Sequence, residues 1–317
     1  MAKIKRIPVI LDGDPGHDDA ITWIMAAADP RLEILGITTC GGNQLAWKTA
    51  YNAQRIAALV GLDVEVAKGS ENPLMVKLNF DPKYHGESGL DGTVLPEPKR
   101  PLSKLSSPEL MSKLLMEAAE PVVIIATGPQ TNVAAVLLAH PELKAKIRCI
   151  SIMGGGIRNG NVTPAAEFNI IVDPEACQIE FMSGVPVIMC GLDVTEKALV
   201  YPSEWEVIRK MGNPVAKVVA ELFDFFFIHL KELGHKAVTL HDPCAYLAIS
   251  DPEMFTMADY YIEVETRGEY CRGATVADLN NTLHKKPNVT AVMDLDRSCF
   301  IKKLYEACES YQNWEVK

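Results

Sequence analysis

The sequence has no CxxC pair, no GK[ST] phosphate loop and no apolar run of transmembrane length, and it carries fewer basic than acidic residues. Each lack closes off a class of function. The eight cysteines, at 40, 149, 177, 190, 244, 271, 299 and 308, are scattered singly, most of them within apolar stretches. They read as reduced thiols of a cytoplasmic protein, and neither a disulfide framework nor a zinc site is expected. With 31 Lys and Arg against 41 Asp and Glu the formal net charge is -10. No nucleic acid or acidic membrane surface is expected as a partner, because both are bound through clustered positive charge. Lys3, Lys5 and Arg6 precede an apolar stretch of only about five residues, too short for the h-region of a signal peptide. Neutral small molecules and cations remain as ligands.

What is present is a regular alternation. The 317 residues are 48% hydrophobic and 23% charged, the composition of a soluble globular protein with a sizeable core. Strand-length apolar runs at 7–11, 33–39, 64–67, 122–127, 147–153 and 185–190 alternate with helically spaced stretches at 18–28, 46–60, 108–119, 132–139 and 173–182. That pattern predicts an α/β fold, an open, mostly parallel, Rossmann-like sheet with helices on both faces. Beyond residue 192 come helical stretches near 203–211, 213–233 and 242–249, strand-like runs at 260–266 and 288–294, and a closing helix at 298–310. With no linker, repeat or low-complexity segment, a single domain over 1–317 with a helical insertion is expected. The segment 71–106, rich in Pro, Gly and charge, shows no clear element and has the character of a lid or binding loop.

The densest chemistry lies in "VILDGDPGHDDA", residues 9–20, which holds four aspartates and a histidine directly behind the first apolar run. In an open parallel sheet, ligands gather at the carboxyl ends of strands near a topological switch point. Gly13 and Gly16 permit a tight turn there, and Pro15 restricts it. One of Asp18 and Asp19 can serve the start of the next helix, where the dipole favours negative charge. Capping does not account for four carboxylates, which repel one another when unpaired. A hard divalent cation, Ca2+ or Mg2+, is therefore implied by the all-oxygen donor set. The run is no EF-hand, since Trp23 stands where the loop's closing Glu belongs, and Gly16 spoils a haloacid-dehalogenase motif. Thr127 and Gly128 in "VVIIATGPQTN", the glycines of "SIMGGGIRNGN" and Asn43 in "ITTCGGNQ" end other strands. In "TLHDPCAYLAI", His241 and Asp242 precede Pro243 at a helix start, where Asp242 serves as either a cap or a ligand.

In chain order, "DGDPGHDDA", "GNQ" at 42–44, "HGESGLDG" at 85–92, "ATGPQTN" at 126–132, "MGGG" at 153–156, "AEFNIIVDPEA" at 166–176, "GLDVT" at 191–195 and "HDPC" at 241–244 resemble the inosine-uridine preferring nucleoside hydrolases over nearly the whole chain. The resemblance implies the nucleoside hydrolase fold and hydrolysis of the N-glycosidic bond of ribonucleosides, to ribose and free base, with water as nucleophile and a bound Ca2+. It implies Asp14, Asp19 and Asp242 as carboxylate ligands and Thr127 as a main-chain carbonyl ligand. Asp14 is further implied as the base that deprotonates the attacking water, and Asp18 as the partner of the ribose 2′ hydroxyl.

By the same resemblance Asn43, Asn161, Glu167 and Asn169 hold ribose hydroxyls, and a carboxylate at the 5′ position repels a 5′-phosphate, so nucleosides rather than nucleotides are expected. His241 is implied as the group that protonates or polarises the leaving base. His85 is placed against base or ribose, and Phe168 with the helix around 223–233 in the base pocket. "GHDDA", "HGESGLDG", "GPQTN" and "TPAAEFN" are most similar to pyrimidine-preferring members, which points to uridine and cytidine; a broad inosine-uridine hydrolase is the alternative. A homo-oligomer, tetramer or dimer, is implied as well. Many relatives have Cys where this chain has Gly13, a change expected to alter packing under the turn without touching a ligand. Two readings of other classes are a metal-dependent phosphohydrolase, for which no phosphate-binding Lys or Arg at a strand end is evident, and a non-catalytic nucleoside-binding module, which predicts a lost metal ligand where all are present.

Overall fold

A computed structural model describes residues 5–79 and 83–315; Lys3 and positions 80–82 of the 71–106 segment lie outside that range. The chain runs β1 (Ile7–Gly13), α1 (His17–Ala28), β2 (Leu32–Thr39), α2 (Ala46–Val60), β3 (Glu65–Lys68), α3 (Ser107–Glu117), β4 (Val122–Ala126), α4 (Thr131–Ala139) and β5 (Ile147–Met153). It continues through α5 (Phe168–Val172), α6 (Pro174–Phe181), β6 (Val187–Cys190), α7 (Leu192–Thr195), β7 (Leu199–Val200), α8 (Pro202–Lys210) and α9 (Pro214–Glu232). The last part is β8 (Val238–Thr239), α10 (Pro243–Ser250), β9 (Phe255–Tyr260), β10 (Ile262–Val264), β11 (Thr275–Ala277), β12 (Val289–Leu295) and α11 (Arg297–Glu309).

Eight strands form the central sheet in the order β3-β2-β1-β4-β5-β6-β12-β9. All neighbours are parallel except β12 and β9. Because side chains alternate across a strand, Val9 and Leu11 of β1 enter one core with Ile21, Ile24, Ile56, Phe223 and Leu304, while Ile10 enters the other with Met111, Leu115, Val133 and Phe181. Helices therefore cover both faces, as the alternation predicts, and each central strand reads as a continuous apolar run because both of its faces are dry.

The expected run at 260–266 is two strands rather than one. Tyr260 ends β9 in register with Val289, whereas Ile262 starts the separate hairpin of β10 and β11, its N–H held by the Asn288 side chain at 2.8 Å. The front part of β9 has no strand-like apolar pattern because it is a sheet edge with several partly exposed residues. Within 71–106 no helix or strand occurs among the described residues, in keeping with the composition of that segment.

Strand order reverses between β1 and β4, so the switch point opens beside Gly13 and Thr127. The Thr127 N–H donates to the Asp12 carbonyl at 2.9 Å, which locks the two strand ends together. Asp12 itself turns away from the opening. Its Oδ1 accepts from Thr38 Oγ1 at 2.6 Å and from Asn132 Nδ2 at 2.9 Å, and Asn132 Nδ2 also donates to the Thr39 carbonyl at 2.9 Å. One buried amide on α4 thus ties the ends of β1 and β2. Asn132→Ala leaves both acceptors without that donor and is expected to lower unfolding stability by about 1–3 kcal/mol, read from urea denaturation; an unchanged midpoint would show the tie to be dispensable.

Candidate active site

The turn after β1 aims Asp14 into the switch point. Its Oδ2 accepts from the Asn43 N–H at 2.6 Å, and Asn43 Nδ2 donates back to the Asp14 carbonyl at 3.3 Å. Its Oδ1 is buried and has no hydrogen-bond partner. A Cβ on Gly42 would stand 1.9 Å from Oδ2, and one on Gly128 would stand 2.4 Å from Oδ1. Two glycines therefore clasp this carboxylate, and a side chain at either position would displace it.

Asp18 and Asp19 lie in the first turn of α1. Asp19 is the one that serves the helix start, its Oδ2 accepting from the Gly16 N–H at 3.1 Å, while its Oδ1 accepts from Thr127 Oγ1 at 2.6 Å. Asp242 precedes Pro243 at the start of α10, yet its side chain makes no capping hydrogen bond. The capping alternative is thereby removed, and the carboxylate is left to the cleft. Ligand oxygens of Asp18, Asp19 and Asp242 all lie within 4.8 Å of one another. Asp14 does not fall within that tight group, but it lies near enough to exchange repulsion with Asp18, Asp19 and Asp242.

None of these four carboxylates has an ion pair with Lys or Arg among the described residues. Burial pushes Asp18 up to about 7 and Asp19 up to about 6, with repulsion from Asp19 adding to the shift of Asp18. Asp14 and Asp242 rise well above the ordinary carboxylate range, again chiefly through burial and then through repulsion from their acidic neighbours. Dry like charges in this number need a counter-charge. The donors are all oxygen, and one of Asp14's is unpartnered, a set that fits a hard cation.

Thr127 is buried at the end of β4, and its carbonyl accepts from Asn169 Nδ2 at 2.9 Å. Asn169 Nδ2 also donates to the Met153 carbonyl at 3.0 Å, so this side chain braces two strand ends. Glu167 caps α5. Its Oε1 accepts from Asn169 N–H, and its Oε2 from Gly155 and Ile170 N–H, at 2.9, 2.9 and 3.2 Å. Burial still pushes it up to about 7, and Asp18 is close enough to contribute. Asn161 is exposed, and its Oδ1 accepts from the N–H of Phe168, which is half-buried. On the other side, partly buried His241 has Nδ1 2.8 Å from Thr195 Oγ1, and dry surroundings push it down to about 4. His85 is buried against Gly16 and lowered well below the ordinary range by burial and by neighbouring His17.

Gly13 differs from expectation. A Cβ there would stand 2.6 Å from both Asp19 Oδ1 and Thr127 Oγ1, so a larger residue at this position presses on a candidate ligand rather than merely on the packing beneath it. Sequence reading also left Asn132 and His17 without a role, and placed Phe225 and Phe226 only within the stretch 223–233 given to the base pocket. Asn132 orients Asp12, and Phe225 and Phe226 of α9 stack on His17, which is itself buried. The only signal for His17 was its place beside two aspartates at a helix start.

An open α/β sheet with an acidic cluster at its switch point is the frame of a metal-dependent hydrolase. A family model described as inosine-uridine preferring nucleoside hydrolase matches residues 9–302, and the chain belongs to that family of N-glycosidases. Pyrimidine-specific ribonucleoside hydrolases RihA of Salmonella typhimurium and of Escherichia coli O7:K1 are each 48% identical over 308 residues, which is 96% of this chain and 99% of theirs. Among solved structures, a purine-preferring ribonucleoside hydrolase from Gardnerella vaginalis superposes with a TM-score of 0.91 at 29% identity, covering 97% of this chain and 100% of the other. A plant nucleoside hydrolase, the PpNRh1 enzyme, gives 0.90 at 29% identity over 96% and 99%.

Carboxylates whose folded pKa exceeds the unfolded value bind extra protons in the native state, so the metal-free fold loses stability as pH rises from about 4 to about 7. A cation that replaces those protons must stabilise more at higher pH. The rise in melting temperature on adding Ca2+ is therefore expected to be larger at about pH 8 than at about pH 5. Melts with and without chelator check this; an increment that shrank with rising pH would contradict the carboxylate cluster as the binding site.

Proposed function

We propose that the chain, as a single domain, hydrolyses pyrimidine ribonucleosides, uridine and cytidine ahead of inosine, to ribose and free base with Ca2+ as cofactor. The observation that carries this reading is the meeting of Asp18, Asp19 and Asp242 oxygens within 4.8 Å beside the unpartnered Oδ1 of Asp14. The pyrimidine preference rests on the RihA relatives. Cytoplasmic location is supported by the free, mostly buried thiols, and no helix among the described residues is long and apolar enough to cross a membrane. Assembly as a homotetramer or homodimer is supported by the exposed Tyr270, Val276, Leu279 and Leu283 around the hairpin of β10 and β11.

Asp14, Asp19, Asp242 and the Thr127 carbonyl hold the ion, whose mixture of charged and neutral oxygens suits calcium's loose shell. The ion, when bound, lowers the pKa of water and anchors a sugar diol. Asp14 takes the proton from the attacking water, its carboxylate held in place by the Asn43 N–H on Oδ2. Asp18 accepts from the ribose 2′ hydroxyl, and Asn43, Asn161, Asn169 and Glu167 hold the others. Because three main-chain N–H groups orient Glu167, it offers a fixed acceptor to the 5′ hydroxyl and a repulsive wall to a phosphate. As the C1′–N bond breaks, the sugar gains positive charge, and the surrounding carboxylates stabilise that charge more than the neutral ground state.

At the departing base, His241 acts from a neutral imidazole at pH 7, because burial keeps it down to about 4. It therefore serves as a hydrogen-bond donor that polarises the leaving nitrogen system, with Thr195 fixing the ring. His85 and Phe168 complete the contacts to base and ribose.

Release of reducing sugar from uridine, cytidine and inosine, with and without chelator, tests the whole reading. Chelator-sensitive release in the order uridine or cytidine above inosine is expected; release indifferent to chelator would remove the cation. Asp14→Ala is expected to lower kcat by about a thousandfold or more, the scale of a lost general base, and near-normal turnover would take that role away. For His241→Ala the loss should depend on the leaving base, and equal losses for all three substrates would contradict assistance at the base.

A further inference from the structure

We propose that His17 is a positioning residue that fixes His85 and ties the loop carrying it to α1 and α9. This rests on the reading that His85 meets the substrate. His17 is the first residue of α1 and is fully buried. Its Nε2 lies 2.9 Å from the Asp91 carbonyl; a carbonyl only accepts, so this nitrogen carries a proton. The main-chain N–H of His17 donates to His85 Nδ1 at 3.2 Å; with its own proton on Nε2, His17 Nδ1 touches that atom at 3.1 Å without donating to it. His85 Nδ1 is therefore an acceptor, and the proton of its neutral ring is on Nε2. That Nε2 makes no hydrogen bond among the described residues, which leaves one donor for an acceptor on the ligand.

Packing joins three separate segments at the same ring. His17 stacks on Phe225 at 5.1 Å between centroids with planes 5° apart, on His85 at 5.3 Å and on Phe226 at 5.5 Å, and Phe226 in turn lies 5.4 Å from His85. A Cβ on Gly16 would stand 2.7 Å from His85 Cε1 and Nδ1, so His85 rests directly on the main chain two residues before Asp18. Asp91 also receives the N–H groups of Glu87 and Ser88 on its carboxylate at 2.9 and 3.1 Å. The loop is thus a closed unit that hangs from α1 by the Asp91 carbonyl. Other ties, Gln44 Nε2 to the Gly86 carbonyl at 3.1 Å and Asn52 Nδ2 to the Ser88 carbonyl at 2.9 Å, come from the α2 side. They locate the loop from that side, while the main-chain N–H of residue 17 sets the nitrogen that His85 presents and the His17 ring holds the loop to α1.

The test uses the full-length, calcium-loaded enzyme with Phe, which keeps the stacking and loses the Nε2 proton, and Gln, whose amide reaches toward Asp91. His17→Phe is expected to raise the uridine KM about tenfold, the scale of one buried hydrogen bond, with a much smaller change in kcat. It is also expected to quicken amide exchange over 85–91, while the His85 ring ¹⁵N resonances keep one tautomer because the main-chain N–H at position 17 remains. His17→Gln should restore the KM and the amide exchange in large part. In the double variant with His85→Ala the KM effects should fail to add. A Gln variant no better than Phe, additive effects, or amide exchange over 85–91 unmoved in His17→Phe would each overturn the proposal. If the wild type leaves uridine intact while His17→Phe still loosens the loop and Gln still restores it, the substrate reading falls and the positioning role stands.

Discussion

Mutual repulsion among buried carboxylates at the end of β1 and the start of α1 is the constraint from which the rest of this molecule follows. Asp14, Asp18, Asp19 and Asp242 are withdrawn from water without a basic partner among the described residues. No fold tolerates such a group unless other interactions hold it in place. Here the restraint is local and dense. Asn43, Thr127 and the Gly16 N–H each take one carboxylate oxygen, leaving others free. Those free oxygens are the donors the proposed cation would meet, so the cost of gathering negative charge and the capacity proposed for metal are one property seen from two sides.

The supporting residues are chosen for absence of bulk as much as for polarity. Gly42 and Gly128 flank Asp14 so closely that a methyl group at either would occupy the carboxylate's own space. Gly13 plays the same part beneath Asp19 and Thr127. The polar supports are amides and hydroxyls that neither add nor cancel charge. Asn132 and Thr38 hold Asp12 facing inward, and Asn169 braces the carbonyls of Thr127 and Met153. Glu167 is held in the same way by three main-chain donors. The cleft is thus built from groups whose orientation is set before any ligand arrives, which is what differential stabilisation of a charged transition state requires.

Much of this could be read in the chain itself because its causes are local. Val9 to Leu11, Val122 to Ala126 and Ile147 to Met153 are apolar on both faces and could only be buried parallel strands, and the helices between them carry clear apolar stripes. Carboxylates after the first strand announced a cation, and "HDPC" proposed a distant partner that the fold brings beside Asp18 and Asp19. What stayed hidden depends on tertiary context. The edge strand β9 carries no apolar run because one side of it has no neighbour. Whether Asp242 capped α10 or faced the cleft was undecidable from the residues, since Asp before Pro suits both. His17 looked like an ordinary residue of the turn because its partners, Asp91, His85 and Phe225, lie far along the chain. The inward turn of Asp12 has the same origin.

The acidic cluster is drawn from the first twenty residues and from Asp242, with Thr127 midway between them. During synthesis, therefore, the proposed cation site cannot be complete until α10 has left the ribosome and docked against α1. A fragment ending before that point carries the bare acidic turn and its repulsion with nothing to relieve it. On the proposed reading, competence to handle a nucleoside then requires synthesis past Asp242, and a product truncated before it remains inert rather than partly active.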